Sequence, residues 1–239
     1  MFHFYPWRCD PLRCGYPRAM SFGLGHGREL VVAGIGRSQR DLPPAEAGRL
    51  GPSYFFPGRP DSPFELEIGS GKGTFLLQEA PKHPDVNFLG IEYAGEFYRY
   101  AADRLRRAAM PNVQMLYADA VEFVTHWLQD GCCSVVHLYF SDPWPKARHH
   151  KRRVVQDATL AQFHRVLRPG GELRLVTDHD ALWAWYEDHI SRNAHLFDRV
   201  EFERPASASE GEVVGTNFER KYRREGRPFH AATLRRRGM

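Results

Sequence analysis

No run of the chain approaches the roughly 20 consecutive apolar residues that a membrane-spanning helix needs. The opening MFHFYPWRCD also has no uninterrupted apolar block of the secretory kind, so neither a membrane span nor a signal peptide is expected. Cysteine is scarce. Four occur in 239 residues, Cys9, Cys14, Cys132 and Cys133, and their spacing builds neither a zinc ribbon nor a dense disulfide framework. A reducing, cytoplasmic setting is the expectation. The 12 histidines do not amount to a metal centre, because no two lie four apart beside a glutamate and His149-His150 stand inside a basic run. No metal is expected. Internal repeats are missing as well.

What is present is a chain 42% hydrophobic, long enough to bury one full α/β core. The net charge of +4 is modest, but its arrangement is uneven. From Lys146 to Arg153 the run KARHHKRR carries five Lys or Arg and no acid, and from Arg220 to Arg237 only Glu225 opposes the positive charge. Such clusters suit a polyphosphate partner; an isolated charge run is more often a solvated face, so placement must decide.

Residues 1–60 are rich in Gly, Pro and Arg, with turn pairs at Pro43-Pro44 and Gly51-Pro52, and are expected to form an irregular N-terminal arm. Met20 is a candidate alternative start within it. Residues 61–239 read as one catalytic domain. Short apolar runs at 64–68, 87–92, 113–118, 134–140 and 172–177 have the length and composition of buried strands, and they alternate with helical candidates at 73–80, 95–109, 120–129, 154–167 and 180–193. Arg168-Pro-Gly-Gly171 is expected to stop one helix. Two more strands are expected near 197–203 and 228–234. Five strand–helix alternations predict an α/β, Rossmann-like, doubly wound and mostly parallel sheet with helices on both faces.

Glu67-Ile-Gly69-Ser-Gly71-Lys-Gly73 follows the first of these strands and opens the first helix. Its glycines permit a tight turn and close approach to a ligand, and the helix amides offer donors. A Walker loop is disfavoured because Gly73, not Ser or Thr, follows Lys72, and the dinucleotide fingerprint fails because Thr74 stands where its last glycine belongs. The remaining pattern, acid-x-G-x-G-x-G, resembles the first motif of Class I S-adenosylmethionine-dependent methyltransferases. Three strand-end acids extend it. Glu67 lies where an ammonium needs neutralising, Glu92 where ribose hydroxyls can donate to a carboxylate, and Asp119 where an adenine amino group can donate. Each taken singly is equally a helix N-cap or first-turn acid, and Glu92 would suit NAD equally well.

The fourth strand of this series ends in Ser141-Asp142-Pro143-Trp144-Pro145-Lys146. In an open α/β sheet this strand and the glycine-loop strand flank the point where strand order reverses, so DPWP should face the glycine loop as a stiff substrate platform. DPWPKARHHKRR, with the later Thr216-Asn217-Phe218-Glu219, resembles the bacterial single-chain tRNA (guanine-N7-)-methyltransferase family from Phe64 to the C-terminus. The resemblance implies S-adenosylmethionine contacts from Glu67, Glu92, Asp119 and Asp142, with Gly69, Gly71 and Gly73 in the loop and Asp142 also catalytic. It implies tRNA as partner, substrate contacts from Lys146, Asp178, Thr216, Asn217, Phe218 and Glu219, and RNA contacts from Arg148, His149, His150, Lys151, Arg152 and Arg153. The variable loop is the target it implies.

The chemistry is consistent with that resemblance. Guanine N7 has an in-plane lone pair and needs no base to create the nucleophile, so positioning supplies most of the rate and Asp142 is expected to act electrostatically. A carboxylate can accept both N1–H and the 2-amino group of guanine, and Asp178 and Glu219 are the available acids; which one does so stays open. Phe218 and Phe229, like Trp183, Trp185 and Tyr186, are assigned to packing. Alternative readings are a methyltransferase acting on DNA or protein, a catalytically silent RNA-binding module and, more weakly, a dehydrogenase. Monomer and homodimer are both open.

Overall fold

The computed structural model describes Leu24 and residues 27–238, so the proposed start at Met20 and two of the cysteines, Cys9 and Cys14, lie outside the described residues. Eight strands form one sheet: β1 (Gly36–Ser38), β2 (Phe64–Ile68), β3 (Asn87–Glu92), β4 (Val113–Tyr117), β5 (Cys133–Tyr139), β6 (Leu167–Thr177), β7 (Phe197–Val200) and β8 (His230–Arg236). Their order is β1-β4-β3-β2-β5-β6-β8-β7. The first six are parallel, whereas β8 runs antiparallel to both β6 and β7. Order reverses between β2 and β5, where Glu67 is registered with His137. Ligand sites in open α/β sheets lie beyond the strand tips at such a reversal.

Every residue of β3 and β5 is buried, the mark of strands covered on both faces. On one face Leu66, Leu89, Val136 and Leu175 pack with Phe123 of α4 (Ala120–His126), Phe163 of α5 (Asp157–Val166) and Tyr186 of α6 (Asp180–Arg192). On the other, Phe88 and Met115 meet Phe75 and Leu76 of α2 (Thr74–Glu79) and Ala101 and Leu105 of α3 (Gly95–Arg107). One glycine sets how closely α2 approaches. A Cβ on Gly90 would stand 2.5 Å from Leu76 Cδ1 and 2.6 Å from Ser70 Oγ, so only a bare backbone lets the glycine turn sit against β3.

Two features differ from the reading of the sequence. The described part of the arm joins the fold: β1 pairs with β4, Leu42, Leu50, Phe55 and Phe56 enter the core, and α1 (Pro52–Phe55) packs there too. Arg28 and the Val31 amide bind Asp103, which is buried beneath them. The helix stops where expected, just before Arg168–Gly171, but its C-cap is the extended Leu167 and no left-handed glycine closes it. α5 ends at Val166, and the four residues bulge within β6, shifting its register against β5 between Cys133 and Val135. Gly171 is needed there because its Cβ would lie 2.9–3.1 Å from three carbonyl oxygens.

Candidate active site

The β2 tip turns through Gly69, Gly71 and Gly73, all at positive φ, into α2. Beneath this turn Glu67 is 5% exposed, and its Oε2 has no hydrogen-bond partner among the described residues. Burial raises its carboxyl to about 8, with the nearby Glu92 charge adding to the rise. Glu92, at the β3 tip, accepts from Gly71 N through Oε2 and from Ala94 N through Oε1, each at 2.7 Å. It therefore ties the glycine turn to β3 while keeping one lone pair on each oxygen. Burial raises its carboxyl also, and Asp142 contributes to the rise, so the two carboxylates sit within electrostatic reach across the strand reversal.

Asp119 caps α4: its Oδ1 accepts from Val121 N and Glu122 N at 2.9 and 3.1 Å. The side chain is exposed toward solvent. Gln39 of the arm accepts from the Asp119 amide at 3.1 Å, a contribution to this tip that composition gave no reason to expect.

The segment beyond β5 is held under strain. Phe140 and Trp144, on either side of Asp142, have φ of 55° and 41°, a left-handed conformation uncommon for non-glycine residues. Ser141 Oγ meets Tyr186 Oη at 2.7 Å, and Arg153 Nε donates to the Pro143 carbonyl at 2.9 Å. Asp142 itself opens toward solvent, but protein crowds its inner side and raises its carboxyl.

Lys146 leads into a 3₁₀ helix, Ala147–Arg152, in which Arg148, Lys151 and Arg152 are exposed and His149 and His150 half-buried. Arg152 lies 4.9 Å from the Trp144 ring centroid. Arg153 departs from the expected RNA contact. It is 4% exposed and packs 4.8 Å from the Trp185 ring, so it buttresses the DPWP segment from within.

Thr216-Asn217-Phe218-Glu219 opens α7 (Asn217–Arg224) against the glycine turn. Thr216 Oγ1 caps the helix through Glu219 N, Asn217 Nδ2 donates to Thr74 Oγ1 at 2.8 Å, and the Phe218 ring comes within 3.4 Å of the Cβ position of Gly71. Phe218 is 42% exposed, contrary to the packing assignment. Glu219 is corrected as a base reader. Fully buried, it accepts from Val213 N, Val214 N and Gly215 N at 2.5–2.8 Å and pairs with Arg223, so its oxygens are committed to its own loop. Asp178, beyond β6, is bound by Arg227 through Oδ2.

The donor set fits S-adenosylmethionine. An unpaired buried carboxylate suits an ammonium, the free lone pairs of Glu92 suit two ribose hydroxyls, and a Cβ at Gly69 would meet nothing within 4 Å, leaving room for a ligand against the turn. Among the described residues no group of three or more His, Cys, Asp and Glu is placed to hold a metal ion, and no helix is long and apolar enough to cross a membrane.

Sheet order, glycine turn and strand-end carboxylates together define a Class I methyltransferase. Residues 61–232 match the family model described as a putative methyltransferase. The chain is 34% identical over 170 residues to the tRNA (guanine-N(7)-)-methyltransferase of Streptococcus thermophilus (strain CNRZ 1066), covering 71% of this chain and 79% of the relative. It is 35% identical over the same length to that of Streptococcus pneumoniae (strain Hungary19A-6), covering 71% and 80%. The chain belongs to the tRNA (guanine-N(7)-)-methyltransferase family. Among solved structures, the aminoglycoside resistance methyltransferase NpmB1 superposes with TM-score 0.54 at 18% identity over 78% of this chain and 94% of that one. The [4+2]-cyclase SpnF gives 0.52 at 16%, over 74% and 76%. At such identity these two attest the fold alone, and a cyclase among them means that the reaction must be argued from the site.

Proposed function

We propose that this enzyme transfers a methyl group from S-adenosylmethionine to N7 of a guanine in tRNA, within the variable loop. The observation that carries the reading is the placement of Asp142. Its carboxylate lies on a strained segment just beyond β5, beside a basic ridge, and β5 pairs with the glycine-turn strand β2 at the reversal of strand order. Glu67 neutralises the donor's ammonium, Glu92 orients the ribose, and Asp119, already capping α4 through one oxygen, keeps the other for the adenine amino group. When bound there, S-adenosylmethionine supplies an electrophilic methyl group on a sulfonium.

Asp142 stabilises the positive charge that develops on the purine ring as N7 is alkylated. It removes no proton, since N7 carries none. Asp178, bonded to Arg227 through Oδ2 alone, is the acid available to read the guanine pairing edge, a task for which the saturated Glu219 is unavailable. Lys146, Arg148, Lys151 and Arg152 neutralise phosphates, and His149 and His150 lie along the same ridge. A cytoplasmic setting accords with such a substrate.

Radiolabelled S-adenosylmethionine, offered with unmodified tRNA, DNA and protein, tests the assignment. Label should enter tRNA alone and yield strand scission in chemistry specific for N7-methylguanine. Label in DNA or protein instead refutes the acceptor.

A further inference from the structure

Tyr222 stands between the two halves of the site. Its ring is stacked with Phe218 at 6.2 Å and 27°, and Phe218 abuts the glycine turn. Its phenol feels both Asp142 and Asp178. Two cations lie near the ring: Lys221 Nζ at 5.4 Å, and the Arg227 guanidinium much closer, 4.2 Å from the centroid. The same guanidinium donates through Nη1 to Asp178 Oδ2 at 2.7 Å and pairs through Nη2 with Glu225 at 2.6 Å. Arg227 N bonds the Tyr222 carbonyl across a turn at Gly226, whose φ is 69°, which keeps the side chain beside the ring.

A planar group with parallel N–H donors, lying against an aromatic ring and bonded to a carboxylate, is a chemical description of bound guanine. The N1, N3 and 2-amino nitrogens of guanine around C2 are themselves a guanidine. We propose that Arg227 is an internal surrogate for the acceptor base: its guanidinium occupies the place against Tyr222 and Asp178 that the pairing edge of guanine takes, and leaves when the base enters. This rests on the N7-guanine reading above and adds two residues to it, Tyr222 as the stacking platform and Arg227 as a plug.

Asp178 is 9% exposed at its side chain, so an unpaired charge there is costly; Arg227 holds it satisfied until a ligand with the same donor edge arrives. Arg227 is 41% exposed and can swing out without disturbing the backbone. Once released it joins Arg223 and Arg224, both exposed, as a further phosphate contact. Adenine, with an acceptor at N1, offers Asp178 no equivalent edge and does not displace the plug.

The test is inhibition of tRNA methylation by free guanosine, which has no phosphate for a released arginine to hold. In Arg227→Ala, guanosine should inhibit about fivefold more strongly than in the wild type, the scale of one partly exposed ion pair with a cation–π contact. Adenosine should gain nothing. Low-millimolar guanidinium should refill the gap and cancel the gain, and adding Tyr222→Leu should abolish it. Guanosine inhibition in Arg227→Ala that is unchanged or weaker, undetectable in both proteins included, overturns the plug, and a gain that survives Tyr222→Leu overturns the platform. Wild-type enzyme that forms no N7-methylguanine brings down the underlying reading instead, so the two failures are told apart.

Discussion

Arg153 Nε donates to the Pro143 carbonyl at 2.9 Å, and this half-buried contact fixes the residue after Asp142. A cation that is 4% exposed with its charge against a carbonyl and the Trp185 ring sets a conformation; it does not greet RNA. Arg153→Ala should cost about 2–3 kcal/mol, since a charge-assisted bond is lost and a carbonyl is left bare. Urea unfolding reads this as a lower midpoint at constant slope. The salt dependence of tRNA binding should not change; a shallower slope would return Arg153 to the RNA-binding set.

Asp142→Asn removes the charge and keeps the shape. Methyl transfer should slow by about 10²–10³, the worth of one preorganised electrostatic group, while binding of S-adenosylmethionine and tRNA changes by less than about threefold. Because crowding raises the Asp142 carboxyl, activity should climb as pH rises through that raised value and the group ionises. Single-turnover rates against pH in both proteins are the measurement; a rate hardly changed in the variant rejects the electrostatic role.

Glu67 ties cofactor binding to protons. Its carboxyl moves from an ordinary 4.5 up to about 8 in the folded chain, so between those values the unfolded state loses a proton that the folded state keeps. Stability should therefore be greatest below the lower value and fall as pH rises toward the upper one. Glu67→Gln should flatten that decline in thermal melts of the ligand-free protein. S-adenosylmethionine, whose ammonium favours the ionised carboxylate, should bind the wild type with proton release, visible by calorimetry in buffers of different ionisation enthalpy.

Glu219 accepts three backbone N–H groups and pairs with Arg223 while wholly buried, so Glu219→Ala strands several donors at once. A loss of at least about 3 kcal/mol is expected. In Glu219→Gln, amide exchange at 213–215 should accelerate, because one of the two acceptor oxygens has become a donor. Slow exchange combined with a raised KM for tRNA would mean that Glu219 touches the base directly.

Arg148→Ala and Arg152→Ala should each weaken tRNA binding and lower the slope of log K against log salt by about 0.7–0.9. Equal slopes in variant and wild type would place these side chains off the phosphate path.

Strands β2 and β3 were legible to the residue, because each is a short run of strand length, with Phe, Leu and Ile between polar residues, closed by turn formers. β1 was not. Three residues, Gly36–Ser38, carry no periodic signal, and only the open edge of β4 makes them a strand. Likewise Arg168–Gly171 has the composition of a helix stop, yet its conformation is set by carbonyls of the neighbouring strand crowding Gly171. Phe218 shows the converse: an aromatic residue that looked like core is left exposed because the glycine turn it meets has no side chain to bury it.

Residue order alone determined the alternation of strand and helix from β2 to β6, the acids at the ends of those strands and the glycine turn, since these depend on local periodicity and on glycine's freedom at positive φ. Which charges serve structure and which face the ligand was decided only by tertiary packing. Arg153, Glu219 and Arg227 are alike in sequence as charged residues beside motifs. Burial against Trp185 makes the first a buttress, saturation by its own loop makes the second an anchor, and the pairing of β8 with β6, which sets His230 opposite Thr177, brings the third to Asp178. Desolvation and the supply of hydrogen-bond partners set what a charge can do, and both are properties of the folded surroundings.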